Sequence, residues 1–525
     1  MLRSLSLDFK FRIWLTILSG IGLALILITT SKYGAGVSSD AARNLSTADS
    51  LVQGKGFVDM LGAPLLLWPP LYPLLLAALS LITGWGTFQA AWYLNVLLLA
   101  VNVWLAGWFL YLIFRDEPIF ALIGSLVVLV SRSLLRIHAN VASEPLFETF
   151  ILGFLIASAG FLESGSRITL WTMFVLAGLA TLQRYLGVVL IGVGLAVDLK
   201  KDGIRRIGGL ILPTAVSVLP IGAWALLHNY PVSGTLFGPR DLGAMYPLEN
   251  IGLSLTKILW WFVPRFGVLD YLLLRPWIPL LGLLIILIAI NRRADWISWL
   301  GALSNPHLWP GLLFSVAYFF LLAFTVVTAD HLDLTSDRYY VVVLPVVLAV
   351  VLVTIDHLIL PHIHWSWSLR TYAYGALALI WFVYPVYSLQ AYLRQALVQG
   401  EPTNYNIANS ANFREMSVVK AGEAILAKDP SGLIYSNYLN IVWFIYRHPV
   451  AALPFENGAL PRAQRLTALK ANYPDWPPQS GYIIWFVPNQ YHHIVAPDEL
   501  VTLSNLQLLY ADRTGLIYYV QAKSP

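Results

Sequence analysis

What most constrains this chain is a series of apolar runs that recur from Arg12 to Tyr387. A bilayer's hydrocarbon core takes ~20 apolar residues per helix, and every backbone polar group inside it must be satisfied within the segment. Runs of this kind fold as a bundle of transmembrane helices. The composition agrees: of 525 residues 58% are hydrophobic and only 12% charged, where a soluble chain is closer to half apolar and about a quarter charged. The net charge of +5 comes mostly from Lys and Arg in loops, which in such a chain mark orientation and not nucleic acid. Cysteine is absent, which excludes disulfides, thiolate metal sites and cysteine nucleophiles. The 20 Trp and 26 Tyr suit interfacial belts.

Arg12 to Thr30 is followed by Ser31-Lys32-Tyr33-Gly34 with no small-residue cleavage site, so it reads as an uncleaved first span. Further runs cover Gln89–Phe114, Ile119–Leu135, Pro145–Leu162, Leu170–Leu182, Leu186–Leu199, Ile207–Leu227, Pro276–Ile290, Leu308–Thr328, Tyr339–Leu360 and Tyr372–Tyr387. Leu71–Ile82 is too short, follows Trp68-Pro69-Pro70 and contains Pro73, so it is expected to be interfacial or re-entrant. If it does not cross, the basic segments at Arg3, Lys10 and Arg12, Arg115, Arg167, Lys200–Arg206, Arg292-Arg293 and Arg370 all fall on one side. The expectation is about eleven spans, with the N-terminus cytoplasmic and the C-terminus outside. The chain is then a plasma (inner) membrane protein with a transmembrane domain over 1–390.

Beyond Gln390 the hydropathy changes. Arg414–Lys428 has helical spacing and ends at the turn Asp429-Pro430-Ser431-Gly432. Gly432–Tyr435 and Tyr482–Val487 read as buried strands, Pro461–Ala471 as a helix, and Leu506–Tyr510 with Gly515–Tyr519 as a closing hairpin. Residues 391–525 are thus expected to form a small extracytoplasmic α/β domain.

The topology gathers the unusual polar residues on the outer face: Asp40, Glu144, Arg184, Arg240, Asp241, Arg265, Asp337 and Arg338. Asp40, in Ser38-Ser39-Asp40-Ala41-Ala42, is a helix N-cap, a general base, or both. Glu144, before Pro145, suits a first helical turn. Glu148, one turn later inside an apolar run, is expected to face protein and to hydrogen-bond across helices. Arg184 interrupts apolar sequence at Gln183-Arg184-Tyr185-Leu186-Gly187, and Arg240 and Arg338 add two more cations. Arginine forks match phosphate oxygens bidentately, which favours a phosphate-bearing ligand. His138, His228, His331, His492 and His493 have no metal-ligand spacing; no cofactor is expected, and a divalent metal has no support in the sequence. There is no Gly-rich phosphate loop, so phosphate energy must arrive with the substrate.

These features, in this order, resemble the C-type integral-membrane glycosyltransferases, with the protein O-mannosyltransferases and the lipid A aminoarabinose transferase as the nearest group. The resemblance is carried by Asp40 soon after the first span, Trp68-Pro69-Pro70-Leu71-Tyr72-Pro73, and Ala142-Ser143-Glu144-Pro145-Leu146. It continues through Arg184-Tyr185-x-Gly187, Phe237-Gly238-Pro239-Arg240, and Asp337-Arg338-Tyr339-Tyr340 leading to Leu344-Pro345. It implies inverting transfer of a sugar from a polyprenyl-phosphate donor to a glycan, lipid or protein acceptor. Asp40 would be the base, Glu144 a second acid, and Arg184, Tyr185, Arg240, Arg338 and Tyr339 would hold the donor's phosphate or lipid. Those relatives carry Asp-Glu where this chain has Asp40-Ala41, and some have an acid where Trp68 stands. The alternative is a transporter or flippase of a lipid-linked or polar solute. Its binding residues would be expected near the midplane and in repeated halves, whereas the polar residues here sit at span edges, with no second copy.

Overall fold

The fold comes from a computed structural model, which describes residues 2–203, 208–239, 247–263, 277–328, 336–362, 367–402, 406–455, 462–487 and 494–522. The described chain is mostly helical and divides into two compact units. One comprises Met1–Ile28, Leu66–Tyr72 and Tyr93–Leu393; the other comprises Thr29–Leu65, Pro73–Trp92 and Arg394–Pro525.

The first unit is a bundle of apolar helices: α1 (Leu2–Thr29), then, after α2 (Ser39–Val52) and α3 (Leu71–Thr83), α4 (Thr87–Ile113), α5 (Pro118–Val130), α6 (Arg132–His138), α7 (Glu144–Ser164), α8 (Arg167–Gln183) and α9 (Val188–Asp202). Helix α7 packs on α8, and α8 on α9 and on Ile211–Trp224. Fully buried rings at Phe147, Phe154, Phe161 and Phe174 fill the space between them. Ser217 donates from Oγ to the Phe174 carbonyl (2.5 Å), a polar contact inside the apolar packing.

Among the described residues five helices are long and apolar enough to cross a membrane, or six if one bent pair counts as a span. The chain is therefore a multi-pass membrane protein. The bent pair departs from the single Ile119–Leu135 run: α5 and α6 meet at 52°. Ser131 takes an extended backbone there, and its Oγ accepts from Leu134 N at 3.3 Å, so one helix ends and the next is capped at the same residue. Leu71–Ile82 becomes α3, 13 residues long. At 1.5 Å per residue that is about 20 Å, short of a ~30 Å hydrocarbon core.

The second unit joins the segment after α1 to the chain's last quarter. Its five-stranded sheet has the order β2-β1-β3-β5-β4, with β1 (Leu433–Ser436), β2 (Val450–Ala451), β3 (Gly481–Phe486), β4 (Leu506–Asp512) and β5 (Gly515–Val520). Strands β2, β1 and β3 run parallel, and β3, β5 and β4 antiparallel. The expected strands and hairpin form within a residue or two of their sequence bounds. Sequence patterning did not reveal the two-residue β2, nor the helix Leu439–Tyr446, whose apolar run lacks a capping side chain. One side of the sheet closes over Tyr435, Leu469, Trp476, Ile483, Trp485 and Val520. At the hairpin Asp512 Oδ1 accepts from Thr514 N (2.9 Å), Thr514 Oγ1 (2.6 Å) and Gly515 N (3.1 Å).

Candidate functional residues: an arginine cluster in one unit and an aspartate-bearing helix start in the other

In the bundle unit three sequence-distant residues meet at helix ends. Glu144 opens α7 with Ser143 at the N-cap and Pro145 in the first turn, where a carboxylate complements the helix dipole and a missing N–H costs nothing. Its Oε1 lies 2.6 Å from Arg184 Nη1 and 3.8 Å from Arg338 Nε. Arg184 Nη1 also donates to Ser143 Oγ (3.0 Å), and Gln183 Nε2 donates to the Ser143 carbonyl (2.9 Å). The Glu144 side chain is only 4% exposed, against 20% and 22% for the two arginines. One carboxylate between two guanidinium groups leaves one positive charge, in surroundings dry enough to strengthen its field.

Arg184 stands in extended backbone where α8 stops, followed by the single 3-10 turn Tyr185–Gly187. Gly187 is obligatory: a Cβ there would lie 2.4 Å from the Ala180 carbonyl carbon. The Arg-Tyr-x-Gly pattern is thus a helix break that folds back against α8 and turns the guanidinium toward Ser143. Arg338 lies on another 3-10 turn, Asp337–Tyr339, whose N-cap Ser336 accepts from Arg338 N (3.4 Å). Tyr318 Oη donates to the Tyr339 carbonyl (2.9 Å) and holds this turn. The buried Tyr339 ring faces both cations, 5.8 Å from Arg184 and 4.8 Å from Arg338, and its hydroxyl accepts from Arg338 Nη2 (2.6 Å).

Within this turn Asp337 Oδ2 accepts from Ser133 Oγ (2.6 Å) and lies 3.6 Å from Arg136 Nη1. Arg136, Ser133, Ser143, Gln183 and Tyr318 were not singled out by sequence reasoning. Gln183 and Ser143 were adjacent to a flagged arginine and a flagged glutamate; Arg136, Ser133 and Tyr318 carry no local signal, since their nearness to the cluster exists only in the fold. Tyr185 accepts from Asn229 Nδ2 (3.1 Å) and meets Phe237 edge-on at 5.2 Å. Gly238, at φ +79°, approaches the backbone of Leu66 so closely that a Cβ would sit 2.8 Å from its carbonyl oxygen. Arg240, Asp241, Arg265 and His331 lie outside the described residues.

Two expectations are corrected. Glu148 is fully buried, and neither carboxyl oxygen has a hydrogen-bond partner among the described residues, so the interhelical bond expected of it is not made. It shares its helix face with Ile151, Leu152 and Leu155, all buried and apolar. The interhelical hydrogen bonds are made instead by Thr149 and Asn102. Thr149 Oγ1 donates to Asn102 Oδ1 (2.6 Å), while Asn102 Nδ2 reaches the Pro145 carbonyl (2.8 Å) and His138 Nε2 (3.0 Å). With Nδ1 of His138 donating to the Leu134 carbonyl (2.8 Å), Nε2 is the acceptor, and Asn102 fastens α4 to both α6 and α7. The second correction is that Asp40 is not an N-cap. In the other unit Ser38 caps α2, its Oγ accepting from Ala41 N (3.1 Å), and Asp40 occupies the first turn, with Asn44 Nδ2 donating to its carbonyl (2.9 Å). Ser38 is the residue in extended backbone, and that geometry defines a cap.

Among the described residues no three His, Asp or Glu side chains are grouped so as to hold a metal ion.

No family model and no curated protein matches the chain's sequence. Solved structures do match. ArnT from Cupriavidus metallidurans in the apo state superposes with a TM-score of 0.57 at 14% identity, over 96% of this chain and 97% of that one. The same enzyme bound to undecaprenyl phosphate gives 0.56 at 13%, over 96% and 98%. The apo oligosaccharyltransferase of Archaeoglobus fulgidus gives 0.55 at 13%, over 96% of this chain and 74% of that one. Across nearly its whole length the chain has the fold of the C-type membrane glycosyltransferases.

Proposed function

We propose that the protein is a glycosyltransferase that moves a sugar from a polyprenyl-phosphate donor to an acceptor on the extracytoplasmic face. The observation that carries this reading is the Arg184–Glu144–Arg338 cluster, buried at the ends of apolar helices around the Tyr339 ring. A polyprenyl phosphate keeps its tail in lipid and its anion at the interface, where such a cluster can receive it. As the glycosidic bond to phosphate breaks, negative charge grows on the leaving oxygen, and pre-oriented guanidinium groups stabilise it more than they do the ground state. Asp40 is the general base that takes the acceptor hydroxyl's proton while that oxygen attacks the anomeric carbon from the face opposite the phosphate, which inverts the centre. Glu144 holds the two arginines in place, and Arg240 is a third candidate for the phosphate. In this reading residues 391–525 are extracytoplasmic, the N-terminus is cytoplasmic, and the membrane is the inner one.

The test is binding of undecaprenyl phosphate to the purified full chain in nanodiscs. Arg184→Ala and Arg338→Ala should each weaken it at least tenfold relative to wild type. Unchanged affinity in both variants would remove the cluster from the donor site. Orientation has its own check in a chain without native cysteine: a single cysteine at Asp202 should resist an impermeant thiol reagent added from outside.

A further inference from the structure

The segment that leads into Asp40 is held by three asparagines from the chain's last third, within the same compact unit. Asn409, fully buried, donates from Nδ2 to the carbonyls of Tyr33 (2.6 Å) and Ala35 (2.8 Å), while its Oδ1 accepts from Arg414 Nε (3.1 Å). Asn406, also buried, accepts at Oδ1 from Val37 N (3.0 Å) and Asn409 N (2.8 Å) and donates to the carbonyls of Glu401 (2.9 Å) and Asn409 (2.8 Å). The Val37 carbonyl accepts in turn from Ile407 N (3.1 Å) and Ala408 N (3.2 Å). Asn440, on the helix Leu439–Tyr446 that packs against α2, donates from Nδ2 to Ser39 Oγ. Further out, Glu415 Oε1 accepts from Tyr33 Oη (2.5 Å) and pairs with Lys32 Nζ (3.0 Å).

This is more than a brace of average density. An amide side chain carries both donors and acceptors, so one buried asparagine can tie two stretches of backbone, and Asn406 uses all four of its hydrogen-bonding positions. The bonds converge on Tyr33, Ala35 and Val37, which lead into the Ser38-capped start of α2, and on Ser39, its first residue. The direction in which Asp40 leaves the helix start follows from that backbone.

We propose that the tail is a positioning element for Asp40, acting through Asn406, Asn409 and Asn440. The inference rests on the reading of Asp40 as base. A general base works only within hydrogen-bond reach of its proton, and a displacement of about 1 Å costs ~10²-fold in rate. A tail that merely stabilised the fold would change yield and melting, and leave the rate of the folded fraction unchanged.

The experiment uses the full chain in nanodiscs, with polyprenyl-phosphate sugars extracted from envelope membranes as donor and release of polyprenyl phosphate followed by mass spectrometry. Asn406→Leu and Asn440→Leu should lower kcat about tenfold or more, leave the apparent KM for the donor extract unchanged, and speed amide exchange in residues 37–44. Asn440→Gln, which keeps an amide N–H donor for the Ser39 hydroxyl oxygen, should recover most of the rate. Asn440 is half-buried and makes one of these bonds, so its variants test the idea even if Asn406→Leu fails to fold. If Asp40→Asn is inactive while both leucine variants turn over at the wild-type rate, the positioning role is wrong and the base stands. If Asp40→Asn itself turns over normally, the base reading is wrong and the tail's role goes with it.

Discussion

The arginine cluster of the bundle and the asparagine-held start of α2 solve the same problem by opposite means. In the cluster, side-chain charges hold one another: Glu144 is almost fully buried and is tolerable there only because Arg184 and Arg338 flank it. Before α2, neutral amides hold the backbone that leads to Asp40, by hydrogen bonds to carbonyls and N–H groups and not by side-chain charge. A phosphate must be met by charges fixed in a dry place. A base must keep an accessible carboxylate whose position is set by its neighbours.

The comparison predicts different kinds of failure. Asp40→Asn should lose ~10²–10⁴ in turnover with undecaprenyl phosphate affinity unchanged, whereas Arg338→Ala should lose ~10²–10³ together with affinity. Equal losses of affinity in the two variants would erase the distinction. Within the cluster, removing one partner of a buried pair leaves an uncompensated charge. Glu144→Leu or Arg184→Met alone should therefore destabilise the bundle by about 3–5 kcal/mol, and the double variant by much less. Unfolding midpoints of the four proteins in detergent measure this, and additive effects would mean that the charges are not coupled.

The smallest effect is expected at the hairpin of the tail, where hydrogen bonds from Thr514 and Gly515 hold the Asp512 carboxyl down at about 2. A carboxylate whose pKa is lowered on folding stabilises the native state above its unfolded pKa of roughly 4 and loses that contribution as pH falls. Protection of the β4–β5 amides should therefore decline between about pH 4 and pH 2, and the step should vanish in Asp512→Asn. A step that persists in this variant would assign the acid sensitivity to another group.

Several features were legible in the sequence because their causes are local. Apolar periodicity marked the helices, and the Asp-Arg-Thr-Gly turn marked the final hairpin. The Pro after Glu144 marked the start of α7, and the Gly after Arg184-Tyr185 marked a break whose steric reason, the close approach to Ala180, is visible only in the fold. Glu148 was misread because a charge inside a run says that a partner is needed, and not whether the facing helices supply one. The bend at Ser131 was missed because a short polar stretch, Ser131-Arg132-Ser133, inside an apolar run is compatible both with a straight helix and with a capped bend.

By itself, then, the sequence determined that this chain is a membrane-spanning helical bundle with a small α/β tail, and which charged residues are anomalous. Hydrophobic burial, capping and turn formation act over a few residues, and so leave their marks in order along the chain. Only the tertiary structure decided that Glu144, Arg184 and Arg338 form one cluster, and that the tail's asparagines hold the segment before Asp40. Those arrangements depend on side chains brought together from distant positions. Ion pairing and amide hydrogen bonding are selective only at contact distance, so nothing about them is written in local spacing.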